Sequence, residues 1–245
     1  MAMRTTNRSA RMERAFDRMS ETYDDERGVG RQAAVDRFTA SGAYDKLGTL
    51  VLLALAAGAF GYLAASPGVV FGALLIGLVT GLVGVFRPAQ AKVIAPIYSI
   101  AEGVALGGIT SYYSTQTHGI APMAIIFTAG VFVAALVLFR TGIVKVTPRF
   151  VNLTIMALVG FFLVSIAAAF GMPLPGVAGI GGYGIFGAIG VFIGILSLFI
   201  DFNYVAIAEE RHYPADAEWY AAFIVMTSLV FVYINVLRML GGRRR

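Results

Sequence analysis

Two acidic residues, Glu102 and Asp201, lie inside long apolar stretches of the sequence. A charged side chain at the centre of a membrane-spanning helix costs about 2.5–3.5 kcal/mol on insertion scales, and such residues usually mark an ion, proton or substrate path. Burial disfavours the charged form of a carboxyl group, so either acid can respond to pH. We therefore expect a protonation-sensitive cation site at Asp201. Glu102 is expected to be a second cation ligand or an interior polar contact. In the alternative interpretation, both acids only hold helices together.

The last apolar stretch has a polar face of its own. Ser228 and Asn235 are seven residues apart and therefore share a face of a helix. Small polar groups on one face are often hydrogen-bonded between helices, and lining of a pore is the other interpretation. Three arginines at the ends of apolar stretches are candidate partners of the acids: Arg87, Arg140 and Arg149.

The residue types argue against an enzyme. The chain has no cysteine, which removes thiolate metal sites and cysteine nucleophiles, and its two histidines, His118 and His212, leave little for zinc or for a histidine-based triad. The glycine-rich stretch 179–184 does not follow a buried strand, and the context of a nucleotide-binding loop is therefore missing. We expect no catalytic residue and no cofactor.

The composition indicates a membrane protein. Of 245 residues, 58% are hydrophobic and 13% are charged, and the mean hydropathy is +0.78. A soluble domain carries about 25% charged residues, so a soluble globular enzyme is excluded and a lipid bilayer is the expected environment. Residues 1–46 form a mixed-charge arm whose eight acids nearly balance its nine basic residues, which argues against binding of nucleic acid.

The apolar stretches predict an all-α polytopic protein with seven transmembrane helices in a bundle. A span needs roughly 20 mainly apolar residues, and the backbone in hydrocarbon must satisfy its own hydrogen bonds, which favours helices. We predict an arm at 1–46, a transmembrane domain at 47–240 and a basic tail at 241–245. The predicted spans are 47–65, 69–86, 93–113, 122–139, 150–170, 183–207 and 219–240.

The distribution of lysine and arginine predicts the orientation. Basic residues are concentrated in the breaks after the second, fourth and sixth spans, and the breaks after the first, third and fifth have none. The positive-inside rule then places the N-terminal arm and the breaks at 87–92, 140–149 and 208–218 in the cytoplasm. Seven full spans leave the arginine-rich C-terminus outside, against the same rule.

The ordered motifs resemble the Bax inhibitor-1/YccA-like family of membrane proteins. Three motifs carry the resemblance: Ile-Ala-Glu-Gly at 100–103, Leu-Phe-Ile-Asp-Phe-Asn at 198–203 and Asn-Val-Leu-Arg at 235–238. Further segments resemble an actinobacterial-type branch: Arg-Thr-Gly-Ile at 140–143, Val-Thr-Pro-Arg-Phe at 146–150 and Glu-Trp-Tyr-Ala-Ala-Phe at 218–223. The resemblance implies a bundle with the last helix at its centre, in a bacterial inner membrane.

The resemblance also implies a function. Members of this family form a pH-sensitive calcium leak gated by two aspartates, one from each of the last two spans. Asp201 matches the first aspartate, whereas Ser228 stands at the second position and Asn235 where the closer branch often has an acid. Two carboxylates sharing a proton therefore cannot form unless Glu102 supplies one. Calcium would then be a weakly held, permeant ion at Asp201. The alternative is a non-conducting regulator or partner of a membrane protease or stress-response pathway.

Overall fold

The computed structural model describes residues 37–64, 66–169 and 182–242. This part of the chain forms seven α-helices and no β-strand, and a short 3-10 turn at Pro88–Gln90 precedes the third helix. Each of the seven helices is long and apolar enough to cross a bilayer, so the chain is a multi-pass membrane protein. The helices are α1 (Ala40–Ala64), α2 (Pro67–Phe86), α3 (Ala91–Gln116), α4 (Ile120–Arg140), α5 (Pro148–Ala169), α6 (Gly182–Glu210) and α7 (Ala217–Gly241).

Turn residues end the helices where the sequence predicts breaks. The Ser66 side chain caps α2 by accepting a hydrogen bond from the Val69 amide at 3.4 Å, and Pro67 occupies the first turn. Gly119, between α3 and α4, and Gly142, after α4, have φ angles of 76° and 70°. Glycine favours these positions because it adopts left-handed conformations without steric cost. The predicted break between the fifth span (150–170) and the sixth (183–207) falls largely outside the described residues.

Helix α1 begins at Ala40, seven residues before the apolar stretch that starts at Leu47. The Thr39 hydroxyl caps this helix by accepting a hydrogen bond from the Gly42 amide at 3.0 Å. The Ala40 amide donates to the Glu209 carboxylate at 2.8 Å, which satisfies another free amide of the first turn. The first turns of α1 are therefore polar.

Helix α7 lies at the centre of the bundle, which confirms the expected architecture. It packs against α1, α2, α3, α4 and α6. Within its most apolar window, 67% of the residues are buried, compared with 11–17% for α1, α2, α4 and α5. The peripheral helices therefore turn most of their apolar surface outward, as a bilayer requires, while α7 is surrounded by protein.

Successive helices run in opposite directions, so α1, α3, α5 and α7 begin at the same end of the bundle. For example, Gly187 of α6 faces Met239 near the end of α7, whereas Gly194 faces Val232 in the preceding part of that helix. The end at which α1, α3, α5 and α7 begin contains the connections at 87–90, 141–147 and 211–216. We call it the basic end, because basic residues cluster there. The opposite end is called the far end.

Candidate ion path between the last two helices

Three glycines allow α6 to approach α7 closely. A Cβ atom at Gly187 would lie 2.7 Å from the Asn235 carbonyl oxygen, and one at Gly190 would collide with the Asn235 side chain. A Cβ at Gly194 would meet the Val232 side chain. Only glycine fits at such distances, as in close helix pairs in membranes. The half of this interface nearer the far end is therefore tightly packed.

Asp201 and Ser228 meet on the other side of these glycines. The Ser228 hydroxyl of α7 donates a short hydrogen bond to Oδ2 of Asp201 on α6. The hydroxyl oxygens of Ser228 and Ser197 are 3.2 Å apart, so Ser197 completes a polar cluster of three side chains. Asp201 is 5% exposed and Ser228 6%, so both are shielded from solvent. The structure thus brings together two of the predicted site residues.

The cluster lies deep in the bundle. Asp201 is nine residues from the end of α6 at Glu210, which is about 13 Å along the axis at 1.5 Å per residue. The predicted sixth span ends three residues earlier and places Asp201 only about 9 Å from the basic end. The carboxyl group therefore lies more than two helical turns inside the bundle from its basic end.

Asn235 lies two turns beyond Ser228 on α7 and is fully buried. Its amide nitrogen donates to the Phe231 carbonyl at 2.8 Å, and its amide oxygen accepts from Arg238 at 3.4 Å. The same side chain faces Gly190 of α6. Asn235 is therefore part of the α6–α7 interface, and its polar atoms are paired within its own helix.

Glu102 lies at a different helix interface. Its carboxyl group contacts Gly77 of α2, where a Cβ atom would collide with it. Tyr98, one turn earlier on α3, packs edge-to-face on Phe223 of α7 with ring centroids 5.2 Å apart. Helix α7 packs against both α3 and α6. The contacts of Glu102 thus belong to the α2–α3 pair, whereas those of Asp201 belong to the α6–α7 pair.

The three candidate arginine partners all lie at the basic end. Arg87 follows α2, Arg140 ends α4, and Arg149 is in the first turn of α5. All three side chains are exposed. Arg140 interacts electrostatically with Tyr44 of α1. A partnership between any of these arginines and Asp201 remains a prediction.

A second buried acid, Glu218, was not predicted as a site residue. Its carboxylate accepts hydrogen bonds from the Thr39 amide at 2.8 Å and the Thr39 hydroxyl at 3.0 Å, and it forms an ion pair with Lys46. The Lys46 ammonium also lies 5.7 Å from the centroid of the Trp219 ring. The available signal was an acid in the first turn of an apolar helix, where the helix dipole favours negative charge.

Backbone contacts also join the segment before α1 to the connection between α6 and α7. The Phe38 amide donates to the Tyr213 carbonyl at 2.7 Å, and Arg37 forms an isolated β-bridge with Pro214. The segment before α1 is thereby fixed to the connection between α6 and α7. We call Thr39, Lys46 and Glu218 the entry clamp, because they join the start of α1 to the start of α7.

The described residues contain no group of three or more His, Asp or Glu side chains arranged to hold a metal ion. At the α6–α7 interface, a cation would meet the Asp201 carboxylate and the hydroxyl oxygens of Ser197 and Ser228. Calcium binds tightly when six to eight oxygens surround it. The three side chains of this cluster supply fewer oxygens than a tight calcium site requires.

The architecture defines a class of multi-pass membrane protein, a seven-helix bundle around a buried last helix. A family model described as Bax inhibitor 1 like matches residues 5–245, almost the whole chain. The chain belongs to the Bax inhibitor 1-like family, which is not a known family of enzymes. A search of curated proteins gave no match.

Proposed function

We propose that this protein is a pH-sensitive cation leak, with calcium as the ion, and that its path follows the α6–α7 interface. The observation that carries the proposal is the contact between Asp201 and Ser228. A carboxyl group at membrane depth is costly to retain and typically marks an ion or proton path. Here the Asp201 carboxyl group joins α7 to α6, which is the helix that packs most extensively against α7.

We call the hydrogen bond between Asp201 and Ser228 the latch. In this proposal, the protonation state of Asp201 determines whether the latch is closed. A neutral carboxyl group hydrogen-bonded to Ser228 is compatible with a dry, closed interface. Loss of the proton leaves a negative charge in a medium of low dielectric constant, which is strongly unfavourable without a counter-charge or water. Separation of α6 from α7 would admit water and a cation to stabilise that charge. Cation flux should therefore rise as the pH rises.

The other polar residues receive distinct roles. Ser228 holds the latch closed, and Asn235 faces the path further toward the far end. Glu102 is an interior polar contact of α2 and α3, because its carboxyl group packs on Gly77. The arginines at 87, 140 and 149 receive no latch role, since all three are exposed at the basic end.

The proposal includes a location and an orientation. By the positive-inside rule, the basic end faces the cytoplasm of a bacterial inner membrane. The arm at 1–46 then begins in the cytoplasm, and the far end opens to the exterior. A cysteine introduced after Gly242 and tested with a membrane-impermeant thiol reagent checks this topology, because the native chain has no cysteine. Labelling from the exterior is expected, and labelling only from the cytoplasm would contradict it.

Calcium flux through the purified protein in liposomes tests conduction. An indicator sealed inside the vesicles should report faster calcium entry than in protein-free vesicles, and the entry rate should increase from acid to alkaline pH. Potassium and magnesium gradients of equal size establish the selectivity. Equal rates with and without protein at every pH would exclude the leak.

The alternative function is a non-conducting regulator or partner of a membrane protease or a stress-response pathway. The entry clamp favours it, because the clamp attaches the base of the N-terminal arm directly to the start of α7. A protein docked on the arm could thus act on the central helix. The remainder of the arm lies outside the described residues.

Deletion of residues 1–36 separates the two functions, because it leaves the entry clamp in place. Loss of copurifying membrane proteins with unchanged flux would assign docking to the arm and conduction to the bundle. If neither the full chain nor the shortened chain conducts, and partners are lost on deletion, the regulator is the function.

A further inference from the structure

A long groove opens on one side of the bundle. Helices α1 and α4 form its walls, and α3 and α7 form its floor. The cavity has a volume of about 800 Å³, which is within the range of about 300–1,000 Å³ typical of small-molecule sites. It is separate from the Asp201 cluster, because α6 contributes no residue to its lining.

The groove extends through most of the membrane thickness. Its lining on α1 runs from Tyr44 to Leu63, and nineteen residues of helix rise about 28 Å. The hydrocarbon core of a bilayer is about 30 Å thick. Leu55 and Leu63 on one wall and Ile125 on the other are exposed to the surroundings. The groove therefore opens sideways into the lipid, and its occupant must enter from the bilayer.

The lining matches a hydrocarbon chain. Its floor and walls consist mainly of aliphatic and aromatic side chains, such as Val51, Leu106, Phe132 and Met226. Burial of apolar surface there provides no selection among lipids, because every acyl chain presents the same methylene groups. Any selectivity must therefore come from the end of the groove, where a lipid headgroup would lie.

An exposed cation, Arg140, lies near the basic end of the groove. On α4 the lining reaches Leu136, and Arg140 follows one turn later. Arg140 is exposed and interacts electrostatically with Tyr44, which lines the same end of the groove. The segment that follows adds Lys145 and contains no acid between 141 and 149.

One carboxylate, that of Glu209, also lies near Tyr44. It accepts a hydrogen bond from the Ala40 amide at 2.8 Å and so belongs to the cap of α1. Lys46 is likewise engaged, in the entry clamp with Glu218. Arg140 is therefore the cation best placed to meet a ligand in the groove.

We infer that this groove binds an anionic glycerophospholipid, with one acyl chain between α1 and α4 and the headgroup phosphate at Arg140. The bidentate geometry of guanidinium suits a phosphate. Basic residues near a membrane surface contribute about 1 kcal/mol each to binding of anionic lipid, which corresponds to about a fivefold preference. Since α1 carries the entry clamp, a bound lipid would support the helix to which the N-terminal arm is attached.

Photo-crosslinking tests this inference on the full-length protein. The probes are phosphatidylglycerol and phosphatidylcholine with the same diazirine-labelled acyl chain, each added at the same low fraction to vesicles of otherwise unlabelled phosphatidylcholine. Adducts are mapped by mass spectrometry. We expect phosphatidylglycerol adducts to concentrate on groove residues of α1 and α4 relative to the outer face of α2, with about a fivefold excess over phosphatidylcholine.

Two variants locate the headgroup and the chain. Arg140→Gln, at an exposed position, should reduce the phosphatidylglycerol excess in the groove to about one, since the charge that selects the phosphate is removed. Gly48→Leu should reduce groove adducts of both lipids, because Gly48 lines the groove and has open space around it. Gly130→Leu is the matched control, because it also has open space but lies outside the lining.

Three results would overturn the inference. If the adduct yield simply increased with the exposure of each helix to lipid, with no enrichment in the groove, the protein would make only general contact with lipid. Equal groove labelling by the two lipids in the native protein would exclude headgroup selection. Labelling confined to the far end around Ala121 and Leu63, and unchanged by Arg140→Gln, would indicate a different ligand.

Discussion

The Ser228 hydroxyl of the central helix donates a hydrogen bond to the buried Asp201 carboxyl group of α6. Toward the far end, the same two helices pack closely at Gly187, Gly190 and Gly194. Rotation or separation of α6 relative to α7 would therefore break the contact between Asp201 and Ser228. In the proposed mechanism, this contact couples the protonation of the Asp201 carboxyl group to the closure of the α6–α7 interface.

Removal of the serine hydroxyl should weaken the closed state. Ser228→Ala leaves Asp201 with one donor fewer, and loss of such a buried hydrogen bond costs about 1–3 kcal/mol. We expect a higher calcium leak at acid pH, where the native latch is closed, measured in liposomes. The matched control is Thr227→Val, because within the described part of the chain the Thr227 hydroxyl bonds only to the Ile224 carbonyl of its own helix. An equal effect of both variants would remove Ser228 from the latch.

Introduction of a second acid should change the shape of the pH response. Ser228→Asp places a carboxyl group against Asp201, and two interacting carboxyl groups lose their protons in two coupled steps. The flux should then rise in two stages with pH, where the native protein shows one. Ser228→Asn, of similar size and without a proton to lose, is the control. A single unchanged stage in Ser228→Asp would mean that this contact does not govern flux.

Substitution of Glu102 should leave the pH dependence of calcium flux unchanged. Glu102→Gln preserves the shape of the side chain against Gly77 and removes its charge. Because Glu102 lies at the α2–α3 interface, the pH dependence of calcium flux should match that of the native protein. Loss of the pH response in this variant, with the fold preserved by circular dichroism, would make Glu102 a second titrating group of the path.

Closure of α6 on α7 should depend on the absence of a side chain at Gly187. In Gly187→Ala the new methyl group would collide with the backbone of α7 at Asn235 and Met239, which cannot rotate away. We expect a loss of about 1–3 kcal/mol in the free energy of unfolding, typical of overpacking. A thermal melt in detergent measures the change. Gly130→Ala, with nothing within 4 Å, should be neutral or stabilising.

The entry clamp should determine the stability of the start of α1. Glu218→Ala removes the acceptor of both Thr39 groups and the partner of Lys46, so the amides of residues 38–40 should exchange hydrogen faster. Hydrogen exchange followed by mass spectrometry measures this effect. Glu210→Ala, at an exposed position near the end of α6, is the control. Unchanged exchange in Glu218→Ala would show that the backbone contacts of Phe38 with Tyr213 and of Arg37 with Pro214 suffice for the attachment.

The seven helices could be predicted because the determining property is local. Some twenty apolar residues in sequence must form a helix in hydrocarbon whatever surrounds them. The start of α1 could not be predicted in the same way, because Thr39 is held by Glu218, 179 residues further along the chain. The apolar stretch begins only at Leu47, so hydropathy places the start of the helix too late.

The candidate site could be predicted in part. Asp201 and Glu102 can be identified because they are acidic residues within apolar stretches. The helical period also places Ser197, four residues earlier, on the same face as Asp201. Which acid meets Ser228 depends on the rotation and register of α6 against α7. These are determined by the fit of Gly187, Gly190 and Gly194 against particular residues of α7, and no single helix carries that information.

The most direct measurement is calcium flux through Asp201→Asn in liposomes, compared with the native protein from acid to alkaline pH. Asparagine has the size of a protonated aspartate and cannot lose a proton, so this variant should remain in the closed state. We predict low flux that does not change with pH, whereas the native flux rises toward alkaline pH. A variant flux that rises with pH as in the native protein would contradict Asp201 as the latch.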